Sequence, residues 1–297
     1  RNAQNVLLDG LEKLEYRGYD SAGIAVFSDK VRTVKSQGRL AVLREKVNAA
    51  GGVPGTLGIG HTRWATHGAP NDINSHPHSS MSRRITVVHN GIIENYVEIK
   101  EFLIGQGIRF KSETDTEVVA QLLEFYYNEC HDFLEAVGRV LRRIEGAYAL
   151  GMLCADCPDR IIAARKDAPL LLGYGEGCNF LASDVTAIIK HTRDVAYMED
   201  GEVAVLTREG IEVYDALEQR VEKKHFTIDW EVSAAEKGGY QHFMLKEIME
   251  QPEALRRAIS PRIKDGKVVF DDLKLPVEKM REFTRIFIVA CGSSYHV

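Results

Sequence analysis

Three short polar runs hold the residue types that could do chemistry: His61-Thr62-Arg63-Trp64-Ala65-Thr66-His67-Gly68, His89-Asn90-Gly91 and Ser112-Glu113-Thr114-Asp115-Thr116-Glu117. The first offers a guanidinium beside an indole, the second an amide beside a glycine, the third a carboxylate where a helix begins. A planar guanidinium takes a carboxylate through paired, charge-assisted hydrogen bonds. A carboxylate can take an ammonium, and a side-chain amide with a glycine N–H can donate to a developing oxyanion. Together they suit a free α-amino acid gripped at both charged ends, with an oxyanion stabilised at its side chain. An obvious nucleophile to go with them is missing.

Each residue also has a plainer reading. Arg63 could sit in an internal ion pair and Trp64 in the core. Asn90-Gly91 could form a type I′ hairpin turn, and Asp115 could be a helix N-cap. Five histidines fall between His61 and His89, among them His76-Pro77-His78, but no acidic residue is placed to complete a typical metal pattern. Cys154-Ala155-Asp156-Cys157 has the spacing of a redox or zinc pair but no second pair. Gly173, Gly175 and Gly177 precede strand-like residues rather than a helix, which argues against a dinucleotide loop. Glu222 to His225 reads as a solvated edge.

The elements that must position these runs follow from periodicity and breakers. An opening helix carries Val6, Leu7, Leu11 and Leu14; strands are expected at Ala22 to Phe27 and Val31 to Val34, and a helix from Leu40 to Val47. Leu57 to His61 reads as a strand running into the first motif. From Trp64 to Ser82 a Pro-, His-, Asn- and Ser-rich stretch is too long for an ordinary connection, which marks a functional loop. Ile85 to His89 reads as a strand ending in a tight turn at Gly91. Helices follow at Val97 to Gly105, Thr116 to Asn128 and Phe133 to Ile144. Hairpin signals then punctuate Ala147 to Val213, at Asp156 to Asp159, Gly173 to Gly177 and Arg208 to Gly210. The pattern predicts an α+β fold of largely antiparallel sheets covered by helices. Residues 216 to 240 read as a domain edge, with a helix from Gln241 to Ile259 beyond it.

Composition sets outer bounds. A chain of 297 residues, 44% hydrophobic and 27% charged, can bury a full core and is long enough for one large domain and part of another. A net charge of -5, with no Lys/Arg run beyond a pair, argues against nucleic acid as a partner. No apolar stretch approaches a membrane span. Five scattered cysteines argue against a disulfide framework and for a reducing cytoplasm. Both ends read as cut: the first residue is Arg1, already inside a helical pattern, and the last follow a strand-like run at Ile286 to Ala290.

Taken with further runs, these motifs resemble the glutaminase half of the glutamine–fructose-6-phosphate aminotransferase family. The matching segments are Leu14 to Gly23, His61 to Gly68, His89 to Asn95, Ser112 to Glu117, Gly146-Ala147-Tyr148, Ala182-Ser183-Asp184, Lys246 to Pro252 and Ala290 to Tyr295, in family order across nearly the whole chain. The resemblance implies an N-terminal-nucleophile (Ntn) hydrolase type of four-layer α/β/β/α sandwich. It implies a glutaminase domain over 1–230 lacking its first strand, a linker and helical segment over 231–283, and the start of a sugar-isomerase (SIS) domain over 284–297. Arg63 would hold the glutamine α-carboxylate, helped by the backbone around Thr66 and His67. Asp115 would take the ammonium, Asn90 and Gly91 would form the oxyanion hole, and Trp64 would gate ammonia passage. Ser293 and Ser294 would face a sugar phosphate. The implied partners are L-glutamine, fructose 6-phosphate and a second copy in a homodimer; no metal, nucleotide or flavin is implied. Family members begin with a cysteine whose free amine moves the proton, whereas residue 1 here is Arg. The expectation is that this polypeptide binds glutamine weakly at best and does not hydrolyse it. Another glutamine amidotransferase, or a glutamine-binding module without a nucleophile, stays open as an alternative.

Overall fold

The computed structural model describes residues 2–64, 67–229, 240–264, 266–269, 279, 281–285 and 287. The chain divides into two compact units, Arg1–Glu236 and Lys237–Val297. In the first unit, helices α1 (Ala3–Leu14) and α2 (Leu40–Ala49) flank strands β1 (Ser21–Phe27) and β2 (Val31–Gln37). Strand β3 (Leu57–Arg63) carries the first motif; β4 (His78–Ser79) and β5 (Ile85–Ile93) follow. Helices α3 (Tyr96–Gly105), α4 (Asp115–Cys130) and α5 (Phe133–Leu141) come next. The strands that close the unit are β6 (Gly146–Cys154), β7 (Arg160–Lys166), β8 (Leu171–Gly175), β9 (Cys178–Ala182), β10 (Asp194–Tyr197), β11 (Val203–Thr207), β12 (Ile211–Tyr214), β13 (Arg220–Val221) and β14 (Phe226–Thr227).

Three sheets result, with strand orders β2-β1-β3, β14-β10-β8-β9 and β13-β12-β11-β7-β6-β5-β4. Every pairing within them is antiparallel. The large sheet is buried on both faces, and side-chain alternation shows which face meets what. Along β6, Tyr148, Leu150, Met152 and Cys154 join Val118, Leu122 and Leu123 of α4 in one core. Ala149 packs with Leu172 and Leu206, and Leu153 with Ala25 and Ile59, on the opposite face. Helices α1 and α2 cover the outer face of the small sheet through Leu8, Leu11, Leu43 and Val47. The layers are therefore helix, sheet, sheet, helix, as the resemblance implies.

The three expected hairpins form, between β6 and β7, β8 and β9, and β11 and β12. Several details differ. Strand β5 does not end at His89 but runs to Ile93, because β6 pairs with it from Ile85↔Cys154 to Ile93↔Gly146. Helix α5 stops at Leu141, short of Ile144. The long loop after Trp64 contains the short strand β4, paired with β5 through His78↔Val87.

The second unit contains α6 (Phe243–Ile259), matching the expected helix, and a small hairpin of β15 (Ile263–Lys264) and β16 (Lys267–Val268). The expected strand Ile286 to Ala290 lies outside the described residues except for Phe287. Among the described residues no helix is long and apolar enough to cross a membrane.

Candidate functional site

Arg63 closes β3, where Ser21 is its partner on β1 and Asp20 N donates to its carbonyl at 3.1 Å. The turn before β1 lies so close that a Cβ at Gly18 would stand 2.8 Å from the Arg63 carbonyl carbon, so glycine is required there. The guanidinium is buried. Its Nη2 donates to the carbonyls of His67 and, at 3.3 Å, Gly68, while its Nη1 is sealed from solvent with no hydrogen-bond partner among the described residues. Burial pushes the Arg63 pKa down; Asp115 and Asp20 oppose that shift by favouring the charge. The ion-pair reading of Arg63 does not hold among the described residues, since its partners are main-chain carbonyls. Next to it, Trp64 is 56% exposed and meets Tyr19 edge to face at 5.1 Å, so it is not a core residue.

Asn90 and Gly91 are not a hairpin turn. Both lie inside β5, opposite Ala149 and Tyr148 of β6. Gly91 has φ +141, and a Cβ there would approach the Ala147 carbonyl oxygen to 2.1 Å. Only glycine lets the strand pass β6 that closely. Asn90 is exposed to the cavity described below, and its amide makes no hydrogen bond to another described residue.

Asp115 is the first residue of α4 rather than its cap; Thr114 holds the N-cap position without a capping side-chain bond. Asp115 reaches sideways instead, its Oδ2 accepting from Ile93 N at 2.8 Å. That bond ties the helix to the end of β5. The carboxylate at the third helical position, Glu117, folds back to accept from Lys111 N at 2.9 Å, Ser112 N at 2.5 Å and Ser112 Oγ at 2.6 Å. A negative charge in the first turn also complements the helix dipole.

Three buried histidines, His76, His78 and His89, and the half-buried His61 fill the space between these parts. The His61 and His76 rings stack with centroids 4.4 Å apart, and His76 meets His78 edge to face at 4.9 Å. His76 Nδ1 accepts from His89 N at 3.3 Å; His78 Nε2 pairs with Thr114 Oγ1 at 3.1 Å and His89 Nδ1 with Thr116 Oγ1 at 3.0 Å. Burial drives all four toward the neutral form, His61 down to about 3. They pack as neutral rings bridging the loop and α4.

Arg63, Trp64, Asn90, Gly91 and Asp115 all line one cavity of about 950 Å³. His67 does not line it; its carbonyl contributes by holding Arg63. Thr66, Ser293 and Ser294 lie outside the described residues. The cavity continues away from the polar end between the edges of β3 and β9, with α1 and β6 contributing Leu7, Leu11 and Leu150. Neither edge has a partner strand there among the described residues. One residue that organises the site escaped the sequence reading. Asn74, buried in the loop, donates to Ala69 O at 3.0 Å and to Glu113 Oε2 at 3.2 Å, and accepts from Glu113 N at 3.0 Å. Nothing separates it in sequence from an ordinary turn asparagine.

A family model described as a glutamine amidotransferase domain matches residues 61–190, the stretch holding Arg63, Asn90, Gly91 and Asp115. Over its full length the chain is 54% identical to the glutamine–fructose-6-phosphate aminotransferase (isomerizing) of Caldanaerobacter subterraneus, covering 48% of that protein. It is 50% identical to the enzyme of the same name from Clostridium perfringens, again over 100% of this chain and 48% of that one. The glutamine phosphoribosylpyrophosphate amidotransferase of B. subtilis superposes with a TM-score of 0.62 at 26% identity, over 72% of this chain and 46% of that one. The antiparallel sandwich is thus the N-terminal-nucleophile fold. The chain spans about half the length of the curated relatives it matches. On sequence and fold together, the chain carries a glutamine amidotransferase domain and is similar along its whole length to one half of glutamine–fructose-6-phosphate aminotransferases.

Proposed function

We propose that this cavity binds L-glutamine for amide hydrolysis and that the longer protein passes the ammonia to fructose 6-phosphate, giving glucosamine 6-phosphate. The observation that carries the reading is the buried, unpartnered Nη1 of Arg63 in the same cavity as Asp115 and Asn90. A sealed guanidinium donor costs free energy unless an anion completes it, and the glutamine α-carboxylate is such an anion. Asp115 accepts the ammonium: one oxygen is held by Ile93 N, while the other receives only a 3.5 Å contact from Thr116 Oγ1. Asn90 and Gly91 donate to the oxyanion that forms at the side-chain carbonyl. The His67 carbonyl steadies the Arg63 guanidinium that holds the carboxylate, and Trp64 gates the path of ammonia.

The nucleophile belongs, in this reading, to the Cys-Gly strand that the resemblance implies. An apolar slot between two unpaired strand edges is the shape that an extended strand completes by main-chain hydrogen bonding. The corresponding organisation is a glutaminase domain over 1–230, a connecting segment over 231–283 and the start of a sugar-isomerase domain from 284, with Ser293 and Ser294 toward the sugar phosphate. A homodimer in the cytoplasm completes the proposal; the four described cysteines, all free, agree with a reducing compartment.

Calorimetric titration of L-glutamine and L-glutamate into the chain tests the binding step. Saturable binding is expected, weakened about tenfold or more by Arg63→Ala and by Asp115→Ala, each of which removes a charge-assisted contact. Folded variants that bind as tightly as the parent chain would overturn the assignment.

A further inference from the structure

Lys35 sits on β2, outside every role assigned above, yet its ammonium reaches the loop that begins at Arg63. Nζ donates to Ser75 O at 2.7 Å and to Ile73 O at 3.1 Å. Two main-chain carbonyls on one cation make a two-point clamp, and the charge strengthens both bonds. The same side of the fold grips the loop again at Asp72, whose Oδ1 accepts from Gln37 N at 2.7 Å and whose Oδ2 accepts from Lys46 Nζ of α2 at 2.5 Å. Between the clamped carbonyls stands Asn74, the residue that binds both Ala69 and Glu113. Gly68 is pressed against it so closely that a Cβ would lie 2.6 Å from Asn74 Nδ2. The His67 and Gly68 carbonyls in turn hold Nη2 of Arg63. A continuous series of bonds and contacts thus runs from Lys35 to the guanidinium.

We propose that Lys35 is a positioning residue for the amino-acid site: by clamping Ile73 and Ser75 to β2 it holds the 67–75 loop, and through it the orientation of Arg63. The clamp itself stands on the geometry; its consequence for ligand rests on the glutamine reading. Its strength also depends on pH. Burial pushes the Lys35 pKa down to about 8, against the pull of Glu117 on α4 and Asp72 on the loop, while Arg63 on β3 and Lys111 before α4 add to the depression. His78 on β4 faces Lys35 as a neutral ring, and Lys46 of α2 donates to the Lys35 carbonyl at 3.2 Å. Raising pH through about 8 therefore turns the ammonium into an amine and weakens both bonds.

Amide hydrogen exchange over residues 67–75, corrected for intrinsic pH dependence, is measured on the parent chain, Lys35→Met and Lys35→Arg, alongside titration with L-glutamine. Lys35→Met is expected to speed exchange in this loop about tenfold and to weaken glutamine binding. The parent chain should lose loop protection between pH 7 and 9.5, and Lys35→Arg, charged throughout, should not. Unchanged loop exchange in Lys35→Met overturns the clamp. Should that variant fail to fold, identical pH profiles for the parent and Lys35→Arg overturn it instead. Loop exchange that responds as expected in a chain that binds no glutamine supports the clamp and refutes the glutamine reading alone.

Discussion

Two polar segments flank the cavity, and they are held in opposite ways. Residues 111–117 are fixed from within: Glu117, on the first turn of α4, accepts hydrogen bonds from three donors on Lys111 and Ser112, a few positions upstream. Residues 67–75 are fixed from outside, by Lys35 on β2, Lys46 on α2 and Glu113 just before α4. The local arrangement needs only a helix start to form. The remote one needs the small sheet, α2 and α4 already assembled, so it is expected to open more readily than the local one. Glu117 belongs to the first kind and Arg63, through the His67 carbonyl, to the second.

Acid should blur that difference by attacking the histidine seam between the two segments. His61 has a folded pKa of about 3 against an ordinary 6.5. Between those values the unfolded chain takes up a proton that the folded one refuses, so stability falls as pH drops. The loss from His61 alone is about 2 kcal/mol at pH 5, with His76 and His78 adding in the same direction. Melting temperature should drop steadily from pH 7 to pH 5, and less steeply in His61→Gln. A flat profile would mean that the rings are not held neutral.

Glu117→Ala strikes the locally fixed segment. It strands two main-chain N–H groups and a serine hydroxyl, at a cost of about 3 kcal/mol in denaturant unfolding. A cost below about 0.5 kcal/mol would show that water replaces the carboxylate without penalty.

Asn74→Ala strikes the other segment and should behave differently. A smaller global cost of about 1–2 kcal/mol is expected, together with faster exchange over residues 67–75 and weaker glutamine binding. Equal loss of stability with an unchanged loop would erase the contrast drawn above. At the bottom of the scale, Arg142→Ala removes a bridge to Glu218 whose side chains are 62% and 75% exposed. It should shift unfolding by less than about 0.5 kcal/mol; a larger shift would mean that exposed pairs matter as much as the buried contacts.

Much of the fold could be read in advance because its causes are local. Apolar runs marked strands such as Leu57 to His61 and Ile85 to His89, and Asp156 to Asp159, Gly173 to Gly177 and Arg208 to Gly210 marked the hairpins. Asn90-Gly91 misled as a turn because the dipeptide is a strong hairpin signal in isolation, and only pairing with Ala149 and Tyr148 keeps it in the strand. Asp115 could be placed at a helix start but not assigned its partner, since Ile93 N is brought to it by packing of α4 on β5. Lys35 and Asn74 gave no sign of their roles, because a lysine on a strand and an asparagine in a loop are ordinary until their distant partners arrive.

The amino-acid sequence by itself determined which residues have the chemistry for an amino-acid site, and roughly where strands and helices lie. Side-chain functional groups and hydrophobic periods are properties of a segment alone. Tertiary structure alone decided which donors stay unpartnered, which rings become neutral and which carbonyls hold Arg63. Those depend on burial and on atoms dozens of residues apart meeting within hydrogen-bond distance, and no local pattern encodes such a meeting.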